Sequence, residues 1–169
     1  METELLTEIR DLLKNTNKIV SCPVAPYAIP GSDSATALES GDTIGNVFKL
    51  AVPKSGEIRS GFLLDRDDEG TQVDLAIFKQ NVVDVAVDAA FAPTDIEGAT
   101  KVCEMNFVSF DDDGVYQSSQ VTNFGMAYTA PEGFFYIQAI TRGTPTLAAG
   151  VPHKVQLQIL STDPTFEER

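Results

Sequence analysis

The 169-residue chain contains no tryptophan, one histidine and two cysteines, and it is poor in basic residues. Its 12 Lys and Arg stand against 25 Asp and Glu, which gives a formal net charge of −13. Two cysteines are too few for a disulfide framework or a four-cysteine metal site. The negative charge argues against nucleic acid and anionic membranes as partners, because both would repel this surface.

The sequence also lacks segments typical of export or membrane insertion and motifs typical of catalysis. No apolar run approaches the roughly 20 residues of a spanning helix, and METELLTEIR does not have the basic and then apolar order of a signal peptide. GxSxG, GxxxxGK[ST] and GxGxxG are absent. We therefore expect a single acidic, soluble globular unit that is not an enzyme, has no cofactor and is made without export.

The few residues that could carry chemistry stand alone. His153 follows Pro152 at the predicted start of a strand, where an exposed or strand-entry histidine without a catalytic role is expected. Cys22 and Cys103 lie in apolar strands, where a thiol usually serves as a small buried side chain. Only Lys101 could lower the pKa of Cys103, and that is too little to predict a nucleophile.

An acidic segment, DRDDEG at 65–70, partly matches a calcium-binding loop. Asp65, Asp67 and Glu69 alternate and Gly70 follows, but Ala76 occupies the twelfth position, where a bidentate Glu is required. An acidic turn explains the segment equally well, and no metal site is predicted. A second acidic segment, DDDG at 111–114, predicts a hairpin turn in which Gly114 adopts positive φ.

Residues 2–14 are the one convincing helix. Apolar residues recur there at spacings of three and four and form a single stripe, made of Leu5, Leu6, Ile9, Leu12 and Leu13. A helix of about 13 residues is marginal in isolation, so the stripe needs a cover. Either its own domain or another subunit could supply it.

Residues 23–45 predict an extended arm rich in Pro, Ser and Gly, since no strand pattern is evident there. A loop of this length is uncommon inside a compact domain. With the helix, the arm forms a predicted N-terminal region, 1–45. Its candidate contacts with a subunit or partner, beside the helical stripe, are Pro26, Tyr27 and Pro30.

After the arm the apolar period becomes two. TQVDLAIF and HKVQLQIL alternate between apolar and polar residues, which is typical of strands buried on one face. The aromatic run at 134–136 indicates a strand that is central or that meets a partner. The further predicted strands are 18–22, 46–52, 57–64, 101–110, 115–124 and 133–142. The predicted fold is mainly β, an antiparallel, jelly-roll-like sandwich over residues 46–169.

The stretch from VDLAIF to TPTLAAG resembles small virion proteins of tailed bacteriophages. A strand ending in IF precedes an Asp/Ala-rich turn. A strand ending in VSF, an acidic turn and a Gly-Phe-Phe-Tyr strand then lead into TRGTPT. The likeness extends over residues 45–161 and is closest to capsid decoration, or cement, proteins.

This resemblance implies a structural protein of the capsid surface that is made in the host bacterial cytoplasm. Its implied partners are the major capsid protein and further copies of itself, with a homotrimer as the first expectation. It implies no catalytic residues. Three alternatives stay open: a neck, tail or capsid-fibre component, a non-viral carbohydrate-binding β-domain, and a hydrolase with paired acids.

Overall fold

The computed structural model describes Leu6 and residues 17–167. Apart from Leu6, the predicted helix over 2–14 lies outside the described residues. The described chain forms ten strands and one short helix, with these bounds: β1 Lys18–Ala28, β2 Thr43–Ala51, β3 Ser55–Asp65, β4 Val73–Phe78, α1 Asp95–Gly98, β5 Lys101–Phe107, β6 Asp111–Asp112, β7 Gln117–Val121, β8 Met126–Thr129, β9 Phe134–Thr141 and β10 Lys154–Ser161.

The strands form two antiparallel sheets that pack against each other. The first sheet has the order β1-β10-β3-β7-β6, with β8 pairing the other end of β3, and the second has the order β2-β9-β4-β5. The pairings are nested: β1 with β10, β2 with β9, β3 with β7 and β8, and β4 with β5. The prediction of a mainly β protein with antiparallel sheets is confirmed.

Apolar side chains from the facing sides of the two sheets form the main core. Leu157 and Ile159 of β10 and Leu75 and Ile77 of β4 are fully buried in it, as the period of two predicted. At Gly61 an added Cβ would lie 2.1 Å from the Met105 sulfur, so Met105 packs directly against β3 at a residue that has no side chain. The aromatic run belongs to β9, which is central because it pairs with both β2 and β4.

The expected irregular arm is wrong for residues 23–28. These residues belong to β1, which pairs with β10 from Lys18 to Ala28 with one irregularity. Prolines mask the strand pattern in the sequence, but proline is tolerated on the edge strand of a sheet, which is where β1 lies. The sandwich of the structure therefore includes residues well before 46.

The remainder of the arm, residues 29–42, packs across one end of the sandwich. Leu38 is buried and its amide donates to the Pro145 carbonyl, and the amide of Leu147 donates to the Thr36 carbonyl. Gly45 closes this segment with φ +70°, and an added Cβ there would lie 2.3 Å from the Pro30 carbonyl oxygen. Backbone hydrogen bonds and the buried side chain of Leu38 therefore attach this segment to the body of the sandwich.

A second small core lies on the outer side of the second sheet. Residues 79–100 cross that side, and Val82 is buried there with Ala76, Phe78 and Ile140. Backbone bonds join this covering segment to the start of β2, including the one from the Thr43 amide to the Ala89 carbonyl. All of β4 is therefore buried, whereas the sequence pattern predicted that Asp74 and Ala76 would be wet.

Candidate functional site

The predicted contact residues of the arm are fixed to the body of the sandwich. Pro26 is half-buried in β1, and the ring of Tyr27 stacks on Phe48 with 5.6 Å between ring centroids. Pro30 is exposed, and its carbonyl accepts a hydrogen bond from the Asn46 amide. All three residues could contact a partner only as parts of the sandwich surface, because they do not form a separate arm.

Of the helical stripe, the structure describes only Leu6, whose exposed fraction is 62%. Leu5, Ile9, Leu12 and Leu13 lie outside the described residues. The contact predicted for the stripe therefore stays a prediction.

β1 itself exposes apolar side chains, of which the sequence analysis singled out Tyr27 but missed Ile19 and Val24. The exposed fractions of Ile19, Val24 and Tyr27 are 63%, 55% and 41%. These residues lie along the edge strand of the first sheet, and Pro23 and Pro26 interrupt the backbone donors of the same strand. A partner at this edge would therefore meet side chains more readily than it would extend the sheet.

His153 immediately precedes β10, which agrees with the expected strand-entry position, and its side chain is buried there and not exposed. Its Nε2 lies 3.2 Å from Asp65 Oδ1, and its backbone amide donates to the Ser32 hydroxyl. With an exposed fraction of 3%, the imidazole is shielded from any molecule in solution. It joins the end of β3 to the start of β10 and is a poor candidate for a catalytic base.

Asp65 organises the acidic segment at 65–70. Its two carboxylate oxygens accept the backbone amides of Asp67, Glu69 and Gly70 at 2.8–3.1 Å. Burial opposes the ionisation of Asp65, but His153 and these amides outweigh it and hold its pKa below the ordinary 3.8. Calcium binding through this carboxylate would have to break the bonds that shape the turn.

Asp67 belongs to this turn, but its pKa shifts in the opposite direction. Burial raises its pKa, and the amide of Ala148, which donates to Asp67 Oδ2 at 2.9 Å, only partly offsets that effect. Asp67 Oδ1 and His153 Nδ1 are buried and have no hydrogen-bond partner within the described residues. In Leu6 and residues 17–167, no three His, Cys, Asp or Glu side chains are grouped as a metal ion requires.

The two cysteines are buried thiols of the core. Burial raises the pKa of Cys103 to about 12, although Lys101 opposes this shift. The Lys101 ammonium instead pairs with Glu104. A thiol with so high a pKa is almost entirely protonated at neutral pH and is a poor nucleophile.

A charged network occupies the uncovered end of the second sheet's outer side. Asp74 accepts hydrogen bonds from the Asn106 amide, at 2.6 Å, and from Arg142 Nε. Arg142 also reaches Glu104 at 3.4 Å. Burial opposes the ionisation of Asp74, but Asn106 and Arg142 outweigh it, so its pKa lies below 3.8. The network holds β4, β5 and the end of β9 together.

The outer side of the first sheet contains a polar depression of about 360 Å³. It crosses the three central strands β10, β3 and β7, and its lining residues carry no formal charge: Ser60, Gly61, Phe62, Gln120, Thr122, Gln156 and Gln158. The alternation in HKVQLQIL predicted that both β10 glutamines would face water. Their alignment with β3 and β7 is a matter of register between distant segments, so the sequence offered no signal for the depression.

The chain matches no protein-family model, no curated protein and no solved structure. Within its described part, no helix is long and apolar enough to cross a membrane.

Proposed function

We propose that this protein is a structural virion protein that decorates and stabilises a bacteriophage capsid by binding between major capsid proteins. The observation that carries the proposal is the order of the strands. β1-β10-β3-β7 faces β2-β9-β4-β5, and the strands pair as a nested antiparallel hairpin. Such an order is typical of an eight-stranded jelly roll, an architecture common among viral capsid domains.

The chemistry of the buried polar groups favours a binding role over a catalytic one. His153 and Asp65 bind each other and the local backbone, and burial keeps Cys103 protonated. Asp74 is held by Asn106 and Arg142. Each of these groups contributes to the fold, which suits a protein whose task is to bind and brace other subunits.

The proposed binding surface combines the edge of the first sheet with the N-terminal segment. Ile19, Val24 and Tyr27 offer exposed apolar area on β1, close in sequence to the predicted helical stripe. Burying one large apolar side chain contributes about 1.5–3 kcal/mol, so a few such residues suffice for a stable contact. We place the contacts with the capsid and with further copies of the chain, in a homotrimer, on this surface.

The decisive experiment measures binding of the purified full-length chain to expanded phage heads that lack a decoration protein. Cosedimentation should show saturable binding, and native mass spectrometry should show a trimer. Leu5→Asp combined with Ile9→Asp should weaken both by tenfold or more, because two charges would have to be desolvated in an apolar contact. Thr7→Asp with Asn15→Asp adds the same charge outside the stripe and is the matched control.

Two results would contradict the proposal or part of it. Absence of head binding by the unmodified chain would refute the decoration role. Equal binding and assembly by the stripe variant and its control would remove the N-terminal stripe from the interface and leave the β1 edge to be tested through Ile19→Asp.

A further inference from the structure

We propose that the polar depression on the outer side of the first sheet is a binding site for a neutral oligosaccharide. The proposal goes beyond capsid attachment, which we place at the β1 edge and the N-terminal segment. Phe62 is among the residues that line the depression, and no lining residue belongs to the second sheet. Its volume of about 360 Å³ is within the range of small-ligand sites.

Strand register brings the lining residues together. Gln156 of β10, Phe62 of β3 and Gln120 of β7 are direct neighbours in one row across the sheet. Gln158 and Ser60 form the adjacent row. The central position of these strands commits their backbone groups to the sheet, so a ligand would be recognised by side chains and would not add as a strand.

Two amides are held in fixed orientations. Gln156 Nε2 donates to the carbonyls of Pro23 and Val24 at 2.9 and 2.8 Å, which leaves its Oε1 as an oriented acceptor. Gln158 Oε1 accepts a bond from the Ser60 hydroxyl at 3.1 Å, which leaves its Nε2 as an oriented donor. The depression thus presents an acceptor and a donor whose orientations are set before a ligand arrives, and this lowers the entropic cost of binding.

The remaining polar side chains can adapt to a ligand. Gln120 and Thr122 are exposed, and their side chains make no hydrogen bond within the described residues. Sugar hydroxyls both donate and accept, so they match a mixture of amides and hydroxyls. The half-buried ring of Phe62 supplies an apolar surface between the amides, on which the C–H side of a pyranose can stack.

The charge of the chain and of the depression indicates which class of ligand would bind there. The chain has a formal net charge of −13, and the depression offers no cation to an anionic ligand such as a nucleotide or a uronate. Its lining equally lacks a carboxylate that would attract a cation. A neutral, hydroxyl-rich molecule is the class that fits both facts.

The test titrates the full-length protein with maltohexaose, cellohexaose and mannohexaose, and with a hexauronate as the anionic comparison. Isothermal calorimetry or ligand-observed NMR should detect at least one neutral hexasaccharide and no hexauronate. Gln120→Ala with Gln158→Ala should raise the dissociation constant about tenfold or more, as expected for the loss of two hydrogen bonds. Gln80→Ala, an exposed glutamine outside the depression, is the matched control and should bind like the unmodified chain.

Four outcomes would overturn the proposal: no binding of the neutral probes, equal binding of the hexauronate, unchanged binding by the double variant, or equal weakening by Gln80→Ala. A fall in oligomeric mass caused by Gln120→Arg would assign this side of the sheet to a second copy of the chain and would also overturn it. Head binding by Gln120→Ala with Gln158→Ala reports on the decoration role separately and should be unchanged.

Discussion

The two outer sides of the sandwich have opposite characters, although both are built from antiparallel strands. The second sheet is covered by residues 79–100, with a small apolar core beneath the cover and an ion-paired network at one end. Among residues 17–167 no segment covers the outer side of the first sheet, whose centre is neutral and polar. The covered side contributes to stability, whereas the open side remains available for contact with another molecule.

The composition of the strands explains this difference. β4 is apolar on both of its sides, apart from Asp74. Exposing the outward apolar side chains of β4 to water would cost free energy. A covering segment removes those side chains from solvent. In β10 the outward residues include Gln156 and Gln158, which water or a polar ligand can satisfy. Covering those residues would bury little apolar area and would therefore add little stability.

The strongest test of this contrast replaces one outward phenylalanine on each sheet. Phe78 is fully buried beneath the cover, with its ring 6.1 Å from that of Phe91. Phe78→Ala should lower the free energy of unfolding by about 3–5 kcal/mol through lost burial and a residual cavity. Phe62→Ala, on the open side, should cost less, about 1–2 kcal/mol, since its ring is partly exposed and its removal leaves no enclosed cavity. Urea denaturation measures both, and similar losses would refute the difference between the two sides.

A second test compares the two sides of a single strand of the open sheet. Leu157 is fully buried between the sheets, and Leu157→Ala should cost about 2–5 kcal/mol. Its neighbour Gln158 faces the depression, so Gln158→Ala should change stability by about 0.5 kcal/mol or less. Thermal unfolding of the pair checks this expectation. A large loss for Gln158→Ala would mean that the open side is covered by another part of the chain.

The smallest expected effect concerns the charged end of the covered side and depends on pH. The pKa of Asp74 lies below 3.8, so its ionised form stabilises the protein at neutral pH and that contribution is lost as the pH falls through the lowered pKa. Asp74→Asn should cost about 1–2 kcal/mol at pH 7, because Arg142 is partly solvated and can rehydrate.

The pH profile of unfolding separates this effect from simple loss of packing. The difference between the unmodified chain and Asp74→Asn should shrink as the pH is lowered from 5 to 2. Asp111→Asn, at an exposed position in β6, should leave stability nearly constant throughout. A difference that stays constant with pH would contradict the stabilising role of the ionised carboxylate. Asp65 is unchanged in these variants, so some acid sensitivity should remain in all of them.

Sequence reasoning predicted local structure better than tertiary placement. The strand at 154–161 and the acidic hairpin around Gly114, which has φ +83°, follow from alternation and turn chemistry and are confirmed. The interpretation failed at residues 23–28, where prolines conceal a strand. His153 lies at the entry of a strand as expected, but the sequence did not indicate its buried contact with Asp65. The short helix α1, which follows Pro93, was not predicted from the sequence.

The amino-acid sequence by itself determined the mainly β character of the protein, its turns and the inward residues of strands such as β10. These properties depend on the period of two and on residues close together in the chain. Only the tertiary structure decided the order of the strands, the cover over Phe78, and the meeting of Gln156, Phe62 and Gln120 in one row. Those features depend on which distant strands pair and in what register, and burial of apolar area over the whole chain selects that pairing.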